Sequence, residues 1–379
     1  MKVLLIGEYS RFHNSLKEGL IALGHEVTLV GSGDLFKNYP VDIDISPRWN
    51  TANGLSTFIR KAVYKITNID LALIETGFRF WKKRHEMQGY DVVQLINSWS
   101  IRTTVAKEKK CISFLEQHNG KLFLSACGTD TAWVESLFLD NLPYNLLSPY
   151  LKDKNLAVDY ASVLDYITPE RKSLYAFVIQ KVQAIIPTDM DYYLGLKGMN
   201  KATSLIPTPV NLGKLEIPSI SDEGPLVIFH GINRMNYLKK GNDIFEKALH
   251  ILEQKYTDKL KIITVESLPY QDYIKAYDQA HVLLDQVYSH DQGYNALEAM
   301  VKGKIVATGA GLHFMSHYEL KEPVAIDASP DPILIASQLE QLILHPDKRA
   351  HIVAQAQSFV KAHHDHIKVA KQYVAIWSS

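Results

Sequence analysis

Two short stretches carry residue types whose spacing suits one kind of chemistry. Residues 231–249 read GINRMNYLKKGNDIFEKAL, and residues 288–300 read YSHDQGYNALEAM. In the first, Arg234, Lys239 and Lys240 stand ahead of Gly241 and an amphipathic helix. Fixed cations there suit a phosphate, which arginine grips in a planar fork and lysine meets as a point charge. In the second, Gly293 permits close backbone approach, and the free N–H groups of Tyr294 and Asn295 at the helix start form an anion site. Glu298 lies too deep in the helix to cap it, and a carboxylate there can accept paired hydrogen bonds from a ribose diol. Cations, a helix N-terminus and a diol-reading carboxylate together describe a site for a nucleoside diphosphate.

The elements that must position these residues are legible from hydrophobic patterning. Continuous apolar runs at 2–7, 26–31, 91–97, 121–127 and 184–188 read as parallel strands covered on both faces. Between the first two, Leu16, Leu20 and Leu23 form a helical stripe closed by Gly24, which makes a βαβ unit. At 207–224 the sequence turns proline-rich and aperiodic, marking a linker. A second set of apolar runs follows at 226–231, 259–266, 281–287, 304–309 and 323–328. The expected architecture is α/β, with two Rossmann-like domains of parallel sheet facing a cleft: 1–206, then 225–365 after the linker. The tail reads as helical throughout, and its final helix, about 366–379, carries Tyr373 and Trp377 on an apolar stripe that can return to the first domain. The stretch 46–90 reads as helical without a clear order, and Asp42 to Asp44 fall in what reads as an irregular segment.

Composition narrows the partners. The chain has 379 residues, 46% hydrophobic and 22% charged, with 41 basic residues against 41 acidic. That balance gives no overall field for nucleic acid, so any phosphate must be met locally. Cys111 and Cys127 lack metal-ligand spacing and fit a reducing cytoplasmic setting. The opening MKVLLIGEYS serves better as a first strand than as a leader, and no apolar run reaches the roughly eighteen residues a membrane span requires. Asp-x-Asp triplets at 42–44 and 189–191 are common by chance; the second reads as a helix start, and no essential metal is expected.

The segment GYNALEAMVKGKIVATG, with HGINRMNYLKKG upstream, resembles the donor-site signature of family 4 retaining glycosyltransferases. The likeness is tight over about 289–309 and looser over GEYSRFHNSLKEGLIALGHEVTLVGSGD, YDVVQLIN and the C-terminal helices. It implies the two-domain GT-B fold. It also implies that Arg234 and Lys240 meet the donor diphosphate, that Glu298 is the ribose ligand, and that the loop 291–295, with Asp291 and Gln292 beside Gly293, touches donor sugar and phosphates. One position departs: where the family keeps the first glutamate of its Glu-(seven residues)-Glu signature, this chain has His290, with Asp291 adjacent.

In the first domain, Asp130 follows a strand in SACGTDTAW, and Arg11 and His13 stand at the start of the first helix. Asp130 or His13 is expected to orient an acceptor hydroxyl while the departing diphosphate is held by Arg234, Lys240 and the helix N-terminus. Structural alternatives stand beside these roles. Asp130 also suits an N-cap, Glu298 and Lys302 have the spacing of a surface ion pair, His13 suits a structural histidine, and RFWKKRHE at 79–86 suits a charged outer helix face or an anionic-lipid contact. The expectation is a cytoplasmic enzyme of polysaccharide or glycoconjugate synthesis, with peripheral contact at the inner face of a membrane. It would move a sugar with retention from a UDP- or GDP-sugar to a glycan or lipid-linked acceptor, with no separate cofactor. A nucleotide-sugar epimerase or hydrolase of the same fold, or a degenerate binding partner marked by His290, are the competing expectations.

Overall fold

The computed structural model describes all 379 residues except 35–38, 50–52, 68, 140, 218–223 and 267–274. Eleven strands among the described residues form two parallel sheets. The first contains β1 (Lys2–Ile6), β2 (Glu26–Gly31), β3 (Ile43–Asp44), β4 (Val92–Leu95), β5 (Lys121–Ala126) and β6 (Ile185–Pro187), in the spatial order β3-β2-β1-β4-β5-β6. The second contains β7 (Leu226–Ile232), β8 (Leu260–Glu266), β9 (Val282–Leu284), β10 (Ile305–Thr308) and β11 (Ile326–Asp327), ordered β11-β10-β9-β7-β8. Both are doubly wound orders, and each reverses direction once: between β1 and β4, and between β7 and β9. Loops after the strands at such a reversal splay apart and leave a crevice.

Alternate apolar residues of the central strands go to opposite cores, which explains why those strands are largely apolar on both faces. On the first sheet, Leu4, Ile6, Val93 and Leu95 pack against helices 71–83, 105–118 and 169–181, whereas Val3, Leu5 and Val92 pack against helices 12–22 and 366–378. On the second, Phe229, Leu283 and Val306 meet helices 294–301 and 347–363, whereas Ile228, Leu284 and Ala307 meet helices 242–253 and 332–344. This is the GT-B arrangement that the resemblance implies.

The final helix, His366–Ser378, crosses back to the first sheet. Tyr373 and Trp377 are buried there; the Trp377 indole Nε1 donates to Gln94 Oε1 at 2.9 Å, and the Tyr373 hydroxyl lies 3.3 Å from Ser125 Oγ. Burying an aromatic of this size contributes on the order of 4 kcal/mol as an upper figure. The tail is not one continuous helix, however. It breaks at His364 and Asp365, because the linker passes there: the Val210 N–H donates to His364 O and the His366 N–H to Val210 O. Asp365 then caps the last helix by accepting from the N–H groups of Ile367 and Lys368.

Two other stretches differ from their sequence readings. Residues 42–44 are not irregular: Ile43 and Asp44 pair with Val30 and Gly31 as edge strand β3, and Asp42 fastens that edge by accepting from Leu29 N. The stretch 46–90 resolves into helices Gly54–Thr67 and Leu71–Lys83 and the short 3-10 turn Arg84–Met87. The second helix begins where Asp70 accepts from the Ala72 N–H.

Candidate active site

The reversal point of the second sheet is built from the ends of β7 and β9. After β7 the chain forms a 3-10 turn, Arg234–Asn236, and a one-turn helix, Tyr237–Lys240, which ends at Gly241 in the left-handed conformation (φ 70°). Gly241 presses on Val287 so closely that a Cβ would stand 2.5 Å from Val287 Cβ; only glycine fits. The contact sets Lys240 beside the end of β9, where its amine lies 3.0 Å from Asp285 Oδ1. Asp285 is itself buried and receives Thr308 Oγ1 at 3.3 Å on its other oxygen.

Gly293 opens the helix Tyr294–Val301 from ordinary extended backbone (φ −72°), so its own conformation does not require glycine. A Cβ there would meet only Asp285 Oδ2, at 3.8 Å. The missing side chain leaves clear space beside Lys240 and Asp285. Among the described residues no side chain caps the N–H groups at the helix start. A glycine that the fold does not demand, an uncapped helix N-terminus and a lysine meet at this point, a combination that suits an anion.

Arg234 does not join that group. Its guanidinium forks onto Glu266, with both contacts at 2.7 Å. Glu266 is the last residue of β8, so Arg234 leans to one side of β7 and Lys240 to the other. Glu298 is half-buried, and its charge is felt across the cleft rather than only along its own helix. Burial pushes the Tyr39 hydroxyl up to about 12, and the carboxylates of Glu298, Asp34 and Glu8 push the same way. Burial lowers the Arg11 pKa, but Tyr294, Glu18 and Glu298 outweigh it and hold it above the usual arginine range. The Glu298 charge thus acts on Tyr39 and Arg11 of the first domain as well as on Tyr294 of its own helix.

The first sheet supplies the other wall. Glu8, just beyond β1, is 5% exposed; one carboxyl oxygen accepts from the Asn14 N–H at 2.8 Å and from Asn14 Nδ2 at 2.6 Å, while Oε1 has no hydrogen-bond partner among the described residues. Burial raises its pKa to about 7. Sequence reasoning passed over Glu8; a carboxylate directly after the first strand of a doubly wound sheet was the available signal.

The acceptor-side residues singled out from the sequence occupy structural positions. Asp130 caps helix Thr131–Ser136 and also accepts from Ser98 N at 2.7 Å and Ser98 Oγ at 2.5 Å, which ties the β4 and β5 loops together. Both of its oxygens are used. His13 has no exposed surface, and its Nδ1 lies 2.7 Å from Gly7 O; burial drops its pKa to about 3, so it stays neutral.

The loop 289–292 is committed to joining the domains. Asp291 accepts from the N–H of Met190, at the start of helix Met190–Gly195, and from Gln292 N, each at 2.7 Å. Asp191 in turn receives Ser289 Oγ at 2.5 Å and the His290 N–H at 3.1 Å. The His290 ring stacks on Tyr144 with centroids 4.7 Å apart, and its Nε2 lies 3.0 Å from Tyr144 O. Gln292 donates through Nε2 to Gly309 O at 2.8 Å. In this arrangement Ser289, His290 and Asp291 fasten the interface, because a carboxylate finds free N–H groups at the facing helix start, while Gln292 ties the loop to its own sheet. Asp189 caps that helix, accepting from Tyr192 N, as its sequence suggests.

Residues 235–375 match the protein family described as glycosyl transferase-like. The match takes in Lys240, His290, Gly293 and Glu298, and begins one residue after Arg234. No curated protein matches the sequence. Among solved structures, sucrose-phosphate synthase from Thermosynechococcus elongatus is similar at a TM-score of 0.61 and 15% identity, over 100% of this chain and 98% of its own. HepE from Anabaena, in complex with UDP and glucose, is similar at 0.56 and 12%, over 100% and 99%. UDP-GlcNAc 2-epimerase from Neisseria meningitidis bound to UDP-GlcNAc follows at 0.50 and 14%, over 99% of each chain. At such identities the likeness is one of fold, and the fold is GT-B.

Proposed function

We propose that this chain is a retaining glycosyltransferase that moves a sugar from a nucleoside-diphosphate sugar to an acceptor hydroxyl, in the building of a polysaccharide or glycoconjugate. The observation that carries the reading is the clear space at Gly293, bounded by the Lys240 amine and the uncapped start of helix Tyr294–Val301. The family match over 235–375 supports it.

In this reading the diphosphate lies against the N–H groups of Tyr294 and Asn295 with Lys240 as counter-charge, and Glu298 accepts hydrogen bonds from the ribose. Arg234 joins by exchanging Glu266 for phosphate. The bond from the anomeric carbon to the diphosphate oxygen breaks, its electron pair going to the phosphate. The acceptor oxygen bonds on the same face, and its proton passes to the departing phosphate. Held dipoles and cations stabilise the charge that develops there. On the acceptor side Glu8, with one unused oxygen and a pKa near neutrality, orients the hydroxyl, while Asp130 and His13 hold the loops that carry it. The UDP in the HepE complex supports a UDP-sugar over a GDP-sugar. A glycan or lipid-linked acceptor and a cytoplasmic setting complete the reading.

The likeness to UDP-GlcNAc 2-epimerase supports a second reading, in which the same donor reacts without an acceptor. Thermal shift against UDP, GDP and their sugar conjugates, followed by product analysis, tests both. Stabilisation by a nucleoside diphosphate and an α-linked product from an α-linked donor are expected. Inversion at the anomeric carbon would overturn retention, and rapid donor turnover without acceptor would favour the second reading.

A further inference from the structure

The helix Gly54–Thr67 buries none of its side chains, yet its sequence is amphipathic. Leu55, Phe58, Ile59, Ala62, Val63 and Ile66 recur at helical spacing and form one stripe. That stripe faces outward: Leu55 and Phe58 are each 69% exposed and Ile66 is 83% exposed. The next helix, Leu71–Lys83, adds Ile74 and Phe78 to the same exposed surface, and the exposed Trp49 ring packs 5.9 Å from that of Phe78. An apolar surface of this extent marks an interaction site.

The charges around it say what covers it. Residues 54–84 contain seven basic and two acidic side chains, in a chain whose totals are 41 and 41. Both acids are already engaged: Asp70 by the Arg60 fork and Glu75 by Arg79. Lys61, Lys65, Lys82 and Lys83 have no carboxylate partner among the described residues. Helix Gly54–Thr67 itself carries no acidic residue. A second copy of the chain would bring the same lysines against each other, so self-association through this face is opposed by its own charge.

We propose that this face docks on the surface of an anionic lipid bilayer, with Leu55, Phe58 and Ile66 sunk among the acyl chains and the lysines at the headgroups. Apolar insertion flanked by lysines is how a helix lies in a membrane interface without crossing it. Among the described residues no helix is long and apolar enough to cross a membrane, so attachment through this face is peripheral. The surface also adjoins the cleft: Thr103 Oγ1, in the loop after β4, donates to Leu73 O at 2.8 Å. Docking here would hold the acceptor wall of the cleft beside the lipid. The inference stands whether or not the chain transfers sugar.

The test is co-flotation of the full chain with vesicles of phosphatidylcholine alone and of phosphatidylcholine with roughly one-third phosphatidylglycerol. Wild type is expected to float only with the anionic vesicles, and less so as salt rises. Phe58→Ser with Ile66→Ser, and separately Lys61→Glu with Lys65→Glu, should each reduce binding at least about tenfold while leaving the melting temperature unchanged, since all four side chains are exposed or partly so. Failure of wild type to bind anionic vesicles would overturn the proposal, as would equal binding by the Phe58→Ser, Ile66→Ser variant. A dimer in sedimentation that this variant dissociates would assign the face to a second copy instead.

Discussion

The Tyr294 hydroxyl lies 3.2 Å from Ser15 Oγ, so the helix that offers its N-terminus to an anion in one domain is bonded to the first helix of the other. Ser15 and Tyr294 are both buried. A ligand that draws on the Tyr294 N–H therefore acts on an element fixed from both sides of the cleft. Tyr294→Phe keeps the ring and the N–H but removes the bond between domains. We expect a loss of about 1 kcal/mol of stability in urea denaturation with nucleotide affinity unchanged; a matching loss of affinity would show that the domain contact itself governs binding.

Replacing Glu298 with Gln keeps the shape and removes the charge. If the carboxylate accepts from a ribose diol, UDP affinity measured by calorimetry should fall about tenfold or more, the scale of a hydrogen bond to a charged group. Unchanged affinity would return Glu298 to a purely structural role.

Lys240→Met removes the cation beside Gly293 and strands the buried Asp285 carboxylate. We expect a stability loss of about 3 kcal/mol together with weakened nucleotide binding. Adding Asp285→Asn should restore most of the stability and none of the binding, which separates the lysine's two effects.

Glu8 has a distinct pH signature. Its folded pKa of about 7 lies above the carboxyl's ordinary 4.5, so the folded state holds the extra proton between those values. Stability is therefore greatest at low pH on this account, falls as pH rises from about 4.5, and levels above about 7. Glu8→Gln should flatten that part of the curve in denaturation at successive pH values. The same variant should lower kcat and abolish a rise in rate through about pH 7, with donor KM unchanged.

Restoring the family's glutamate by His290→Glu puts a carboxyl beside Asp191 and near Asp327, in a site 4% exposed. Burying a further acid among acids should cost about 3–5 kcal/mol near neutral pH and less in acid, where it is protonated. A stable, more active variant would instead mean that the loop is free to release Asp191.

The doubly wound sheets and the returning tail were legible because their signals are local: unbroken apolar strands, Gly24 after a leucine stripe, Tyr373 and Trp377 on one face. The placement of Lys240, Gly293 and Glu298 on the loop and helix that follow β7 and β9 was legible for the same reason. The fates of Arg234, Asp130 and Asp291 were not. Each is decided by a partner distant in sequence, namely Glu266, Ser98 and Met190, and a side chain's spacing along the chain does not reveal which N–H or carboxylate will reach it first. The exposed stripe of Gly54–Thr67 was hidden differently: an amphipathic pattern identifies an apolar face but not the direction in which it points.

The return of the last helix has a consequence for biosynthesis. Trp377 bonds to Gln94 across 283 positions of chain, and it fills the core behind β1. The sheet that holds β1 therefore cannot finish its core until the helix His366–Ser378, which follows the whole second sheet in the chain, has been made. Until then, its apolar face awaits a helix more than 270 positions further along the chain than β4, which makes that interval the one in which a chaperone or a protease competes with folding.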